Sequence, residues 1–414
     1  PTGDLIKEDK KGQGRGMKNI IFVSNTCSNS QYQLLQKIKQ SEKLCPSQRF
    51  FHMLIEGLNE LDVCRITCIT ARSIAPNNCK QKKLEPFFEI ENGVKFIYSR
   101  VSNKFVIRNI TNFLQVFRLV KKEITINNKN GCESIIIFDP LSYDISFGAI
   151  LASRKNRNTA LVTDIPKYLA QIEKNGKGNS ILQIMKMWFM NRVLNYADSF
   201  CFLTKSMNEI NKKKRPFIVI EGMTSIDTKY TIRDNSKNIV LYAGGLYEKF
   251  GIKKLVSAAQ LIKDNAFELH LYGEGTCVEY IVEVNKRYPN IKYMGILRLD
   301  EIMRRESNAK ILINPRPSSE EFTKYSFPSK LLEYMAAGRP VLTTKLKGIP
   351  EEYNKYLFFF EHETIEGFKD SIEKCLKLPD QYLDERGMVA FEFATTKKNA
   401  KVQAGRLWEF LEKK

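Results

Sequence analysis

Lys324-Tyr325-Ser326-Phe327-Pro328-Ser329-Lys330-Leu331-Leu332-Glu333-Tyr334, followed by Gly338-Arg339-Pro340-Val341, is the stretch that decides the fold. A polar loop meets a proline, then an apolar helix pattern begins, and a glycine ends it before a short apolar strand. Pro328 suits a first turn because it has no N–H to satisfy. Ser326 or Ser329 can stand at the helix start, whose free N–H groups favour an anion. Lys330 adds a point charge there. Glu333 lies one turn on, along the same face, where a carboxylate can accept hydrogen bonds from vicinal hydroxyls. Leu331, Leu332, Met335 and Ala336 supply the buried face, and Gly338 closes the helix. The plain alternative is a surface helix with an ordinary Lys–Glu pair.

The surrounding pattern is strand and helix in alternation. Ile239–Ala243, Glu268–Tyr272, Ile291–Met294, Ala309–Ile313 and Val341–Thr343 read as strands. Helices are expected over Ile252–Lys263, Cys277–Lys286, Leu299–Ser307, Pro328–Ala337 and Ile365–Leu376. The first half repeats the pattern with strands at Lys18–Ser24, Val63–Thr70, Gly93–Tyr98, Ser134–Phe138, Thr159–Val162 and Ser199–Leu203. Near-continuous apolar strands are buried on both faces, which means mostly parallel sheets covered by helices. The fold class is α/β, with two Rossmann-like doubly wound domains expected to face across a cleft. The domains are 17–215 and 216–385, with a C-terminal helical segment 386–414 packing back through Trp408 and Phe410. Residues 1–16 read as an expression-tag remnant and Met17 as the native start.

A chain of 414 residues is long enough for two cores. Its formal charge of +20 is uneven: residues 1–220 carry 35 Lys+Arg against 18 Asp+Glu. A basic half can meet nucleic acid, an anionic membrane or an anionic small molecule. No zinc spacing, helix–turn–helix or aromatic–basic platform supports nucleic acid. No apolar run reaches the length needed to span a bilayer, and no signal peptide is visible, so a cytoplasmic location is expected. Nine cysteines, without a C-x-x-C pair, read as reduced thiols rather than a disulfide framework or a metal site.

Two glycine turns follow strands of the second half. Gly244-Gly245, with Lys249 and Gly251 beyond, and Gly273-Glu274-Gly275 can each bring backbone close to a ligand. Either can also be a simple turn. Asn314-Pro315-Arg316 follows a third strand. The second domain resembles the nucleotide-sugar domain of the GT-B glycosyltransferases, specifically the retaining GT4 family and its capsule and exopolysaccharide branch. The resemblance rests on VLYAGGLYEKFGI (240–252), LHLYGEG (269–275), AKILINPRP (309–317) and YSFPSKLLEYMAAGRPVLTT (325–344). It implies a transferase, expected to act on hexoses, that uses a nucleotide-diphosphate-sugar donor (UDP-sugar favoured, GDP-sugar second) and needs no other cofactor and no metal. Glu333 matches the family's ribose-binding glutamate. Tyr325 and Pro328 stand where the commoner motif has a glutamate and a glycine; Gly245 and Phe250 stand where it has an arginine and a lysine. Lys330 and Lys249 then become the expected cations, with Arg316 behind them. The expected donor-binding set is Gly244, Gly245, Gly273, Arg316, Ser326, Phe327, Ser329 and Glu333, and the expected catalytic set is Lys330, Asp164 and Lys249.

On the acceptor side Asp164, Asp139, Asn25 and Thr26 all follow strands, where they can orient a hydroxyl or merely cap a turn. The acceptor is expected to be a glycan or a lipid-linked glycan. Ile107–Lys122 and Ile181–Val193 mix apolar side chains with cations; Met185, Trp188, Phe189 and Met190 stand out. Such helices can lie on the anionic inner face of a membrane, or pack into a core. His52, His270 and His362 read as structural or solvated residues. An epimerase of the same fold and a non-catalytic sugar-binding module remain the alternative readings.

Overall fold

The computed structural model describes residues 18–39, 46–72, 74, 81–165, 181–225 and 238–413. The proposed tag and Met17, and much of the stretch linking the two halves, lie outside them. The chain forms two compact units, one of 1–202, 209–218 and 404–414 and the other of 203–208 and 219–403. These limits differ from a single crossing near 215. The chain passes between units several times, and its last helix starts in one and ends in the other.

In the first unit the strands are β1 (Lys18–Ser24), β2 (Ile66–Thr70), β3 (Lys83–Leu84), β4 (Phe87–Glu91), β5 (Val94–Tyr98), β6 (Val101–Ser102), β7 (Glu133–Phe138), β8 (Asn158–Val162), β9 (Ser199–Phe202) and β10 (Phe217–Val219). Eight of them form one sheet in the order β10-β9-β8-β7-β1-β2-β5-β4. The pairings from β9 through to β5 are parallel, and β4 closes the edge antiparallel to β5. Ile20, Ile21, Phe22 and Val23 in β1 are all essentially inaccessible, the signature of a strand covered on both faces. The covering helices are α1 (Asn29–Lys39), α2 (Pro46–Glu60), α3 (Phe105–Lys129), α4 (Tyr143–Ala152) and α5 (Ile181–Asn195). Rings of Phe113, Phe147 and Phe189 run across α3, α4 and α5, with centroids 5.7 and 6.3 Å apart.

The second unit contains β11 (Asn238–Ala243), β12 (Phe267–Tyr272), β13 (Ile291–Tyr293), β14 (Ile311–Asn314), β15 (Val341–Thr343) and β16 (Phe358–Phe359). Its all-parallel sheet has the order β13-β12-β11-β14-β15-β16. Side-chain alternation sorts the core into two layers. Val240 and Tyr242 join Leu269, Leu271, Ile311 and Ile313 on one face. Leu241 and Ala243 join Leu312 and Val341 on the other. Each face is covered by helices: α6 (Ile252–Ala259), α7 (Val278–Arg287) and α10 (Ile365–Leu376) on the first, α8 (Leu299–Asn308), α9 (Lys330–Ala336) and α11 (Asp380–Lys397) on the second. At about 1.5–3 kcal/mol per fully buried aliphatic side chain, these two layers are the main source of the unit's stability.

The last helix, α12 (Ala400–Glu412), buries Leu407, Trp408 and Leu411. Within the first unit, Arg157 Nη1 donates to the Leu411 carbonyl at 3.5 Å and Lys18 Nζ to that of Glu412 at 3.3 Å. Within the second, Lys398 donates to Glu221 and Glu352, and Tyr353 Oη donates to Glu221 at 2.8 Å. The seven described cysteines are free thiols, six of them buried. Burial pushes the Cys64 thiol up to about 12. No described helix is long and apolar enough to cross a membrane.

Candidate active site

The strand order of the second unit reverses between β11 and β14, which places a crevice beyond the C-terminal ends of those two strands. The loops that leave them are Gly244-Gly245 and Pro315-Arg316. Helix α9 is fastened to the same spot. Tyr334 is fully buried; its hydroxyl accepts from Ala243 N at 2.8 Å and donates to Ala243 O at 3.2 Å. The FPSK helix and the glycine turn are therefore one assembly, fastened by Tyr334.

The glycines serve this assembly in different ways. Gly273 has φ +127°, and a Cβ on it would lie 1.9 Å from Gly244 O. Beside its expected role, backbone approach to a ligand, it meets a packing requirement: the loop after β12 packs directly on the loop after β11. Gly244 N donates to Tyr272 O and Leu246 N to Glu274 O across that contact. Gly251 has φ +81°, and its Cβ would lie 2.0 Å from Pro315 O. That close approach brings Phe250 against the β14 loop. Gly244 and Gly245 meet only side chains, those of Tyr242, Tyr247 and Phe250.

Three cations surround the switch point, each in a different setting. Arg316 has its guanidinium over Phe250 at 5.0 Å and over Phe322 at 5.7 Å, and the two rings lie edge to face at 6.1 Å. Its Nη1 reaches Ser326 Oγ at 3.4 Å. Burial lowers the Arg316 pKa, and Tyr242 nearby opposes that shift. Lys249 is exposed, its ammonium 5.3 Å from the Phe250 ring and 5.8 Å from that of Tyr247. Lys330 Nζ donates to Glu333 Oε2 at 2.6 Å and lies 3.6 Å from Oε1 of Glu306, whose side chain is 1% exposed. Lys330 thus forms the Lys–Glu pair of the plain reading, with a second carboxylate close by. Burial raises the Tyr242 hydroxyl to about 12 even beside Arg316 and Lys330.

Other expected residues fall into place or out of it. Ser326 is half-buried beside Arg316. Ser329 occupies the position before α9 but makes no capping hydrogen bond and is exposed. Helix α9 starts at Lys330, so Pro328 precedes it rather than opening its first turn. Phe327 turns into the core, with its ring 5.5 Å from that of Tyr353. Glu306, Tyr334 and Phe322 were missed from sequence. Glu306 reads in the sequence as one more charge on a polar helix.

The first unit has its own switch point, between β1 and β7. Asn25 Nδ2 donates to Ser142 Oγ at 2.6 Å, and that hydroxyl donates to Asp139 Oδ2 at 3.0 Å. Leu141 N donates to Asp139 Oδ1 at 3.0 Å. Burial outweighs these bonds and lifts the Asp139 pKa to about 6. Asp164 lies one strand further, after β8, and accepts from the next residue's N–H at 2.7 Å. Among the expected soft side chains, Met190 is core and Phe189 stacks on Tyr143 at 6.0 Å, leaving Trp188 exposed; the Met185 side chain is outside the described residues. His52 pairs with Glu56 at 3.1 Å and His270 with Glu268 at 2.7 Å, while His362 is exposed. Among the described residues no cluster has the makings of a metal site.

Two doubly wound units with these switch points define the GT-B fold class. Residues 237–378 match the family described as Glycosyl transferases group 1. No curated protein matches by sequence search. Among solved structures, an α,α-trehalose-phosphate synthase (UDP-forming) from Burkholderia xenovorans, in complex with glucose-6-phosphate, has a TM-score of 0.63 at 10% identity, covering 96% of this chain and 100% of its own. HepE of Anabaena in complex with UDP has a TM-score of 0.58 at 11% identity, covering 96% and 100%. TarM of S. aureus, in complex with Fondaparinux, alpha-GlcNAc-glycerol and UDP, has 0.55 at 17% identity, covering 81% of this chain and 65% of that one. At such identities the structural likeness speaks for the fold. The matched segment is a group 1 glycosyltransferase domain, and the chain is a transferase enzyme.

Proposed function

We propose that this enzyme moves a hexose from a nucleotide-diphosphate sugar, a UDP-sugar before a GDP-sugar, to a hydroxyl of a glycan or lipid-linked acceptor in surface polysaccharide synthesis, with retention of anomeric configuration. The observation that carries the reading is the position of Glu333. It stands on the short helix riveted to the β11 turn, beside the switch point of a group 1 glycosyltransferase domain. A carboxylate there suits the two hydroxyls of a ribose, and HepE in complex with UDP gives the uridine nucleotide its priority. The capsule and exopolysaccharide branch rests on the FPSK…EY pattern.

In the proposed reaction the acceptor oxygen bonds to the anomeric carbon as the bond to the diphosphate oxygen breaks. The acceptor proton leaves with the nucleoside diphosphate or to solvent. Charge grows on the leaving phosphate, so cations at the switch point stabilise the transition state more than the ground state. No metal or further cofactor is invoked. The first unit holds the acceptor, with Asp164, Asp139 and Asn25 as the hydroxyl-orienting candidates. Exposed Ile107, Ile110, Leu114 and Trp188, on helices without an acidic residue over 105–122 and 181–195, support peripheral contact with an anionic inner membrane face.

The test is turnover: incubate the chain with UDP- and GDP-hexoses, with and without glycan and lipid-linked acceptors, and follow nucleoside diphosphate release and product by mass spectrometry. Acceptor-dependent release of UDP is the expected result. Conversion of the sugar without acceptor would point to an epimerase, and binding without any turnover to a sugar-binding module; either would overturn the proposal.

A further inference from the structure

We propose that Arg316 is the residue that receives the donor's diphosphate, while Lys330, held by Glu333 with buried Glu306 nearby, serves as the counter-ion of Glu333 and does not bind phosphate. This rests on the donor reading of the same site and divides its labour.

The argument is one of charge and geometry. Lys330 lies within 4 Å of two carboxylates, at 2.6 Å from Glu333 and 3.6 Å from Glu306. Its ammonium already donates to one carboxylate and faces a second, so it has less to offer a diphosphate than an uncommitted cation. Drawing Lys330 onto a phosphate would also break its 2.6 Å contact with Glu333, the carboxylate assigned to the ribose. Kept in place, Lys330 neutralises part of the charge on Glu333. It also fixes the carboxylate's direction, leaving oxygen lone pairs for hydroxyl donors.

Arg316 is in the opposite situation. Among the described residues it has no carboxylate within salt-bridge distance, and its one hydrogen bond, to Ser326 Oγ, is long at 3.4 Å. Phe250 and Phe322 lie against the guanidinium. Stacking on ring faces fixes its plane and excludes water from its faces, while the N–H edge stays able to make paired bonds to phosphate oxygens. The clamp is built in by the backbone: glycine at 251 is what lets the Phe250 turn touch Pro315. Arg316 also leaves directly from the end of β14, one of the two strands that define the switch point. Lys249 shares only the Phe250 ring, from an exposed position, and is screened by solvent.

Calorimetric titration of the full chain with UDP and with uridine separates the two roles. Arg316→Gln is expected to weaken UDP about 10- to 100-fold, the range for a lost charge-assisted bond, and to leave uridine affinity unchanged. Lys330→Gln is expected to weaken uridine and UDP by the same factor, because it disturbs ribose binding alone. Arg316→Lys, which keeps the charge and loses the planar fork, should fall between wild type and Arg316→Gln for UDP. Thermal unfolding of each variant verifies that it is folded. A phosphate-specific loss in Lys330→Gln together with wild-type UDP affinity in Arg316→Gln would overturn the assignment. Absence of UDP binding by the wild-type chain would instead sink the donor reading and this inference with it.

Discussion

The two units have the same kind of switch point and fill it with opposite chemistry. In the first unit, the groups after β1 and β7 satisfy one another: Asn25 bonds to Ser142, and Ser142 and the Leu141 N–H bond to Asp139. In the second, the groups after β11 and β14 are glycines, aromatic rings and an arginine with no carboxylate partner among the described residues. A buried, internally bonded polar set suits hydroxyls. A cation walled by rings suits a phosphate. Sheet topology decides where a ligand can lie, and the loops decide which ligand it is.

The largest effect should come from the backbone contact that only the second switch point has. Gly273→Ala would force a methyl group to within 1.9 Å of Gly244 O at φ +127°. A loss of about 3 kcal/mol or more in unfolding free energy is expected, together with loss of nucleotide binding. Denaturant titration measures the first; a variant as stable as wild type would show that the two loops are not tightly packed. Next comes Glu333→Ala, expected to weaken UDP by about 30-fold at unchanged stability, as for loss of a carboxylate that accepts ribose hydroxyls. Unchanged UDP affinity would remove the ribose role.

That difference was only half visible in the sequence. The strands were legible because stretches such as Ile20–Val23 and Val240–Ala243 are continuously apolar, and buried parallel strands require that. The glycine turns and the FPSK helix announced themselves by residue type. Helix α4 escaped notice because Tyr143–Ala152 is apolar on nearly all sides and has no polar stripe to show a period. Helix α11 escaped because its buried residues, Leu383, Ala390 and Phe393, are thinly spread among charges. The settings of the cations were not legible for a tertiary reason. Lys330 sits in the most recognisable motif, but its surroundings depend on Glu306 from another helix. Arg316 gains its setting from Phe250 and Phe322, each on a different segment. No local pattern records those pairings.

A smaller effect sharpens the first unit's side of the contrast. Burial holds Asp139 at about 6 in the fold against an ordinary 3.8. The native state therefore keeps a proton that the unfolded chain has already released, and stability falls as pH rises from about 4 to about 6. Above that window the whole cost is present. Asp139→Asn should stabilise the fold by about 1–3 kcal/mol at pH 7.5 and by nearly nothing at pH 4. Thermal unfolding at both values checks it; equal shifts at both would refute the titration. The smallest effect is expected from Lys249→Ala: exposed and screened, it should alter UDP affinity by less than about 3-fold.

The most direct measurement is hydrogen exchange of the chain with and without saturating UDP. Protection is expected at the backbone of 243–246, 314–316 and 326–334, with exchange at 25–28 and 139–142 unchanged. UDP protection confined to the first unit's switch point, with none around Arg316 and Glu333, would contradict the account.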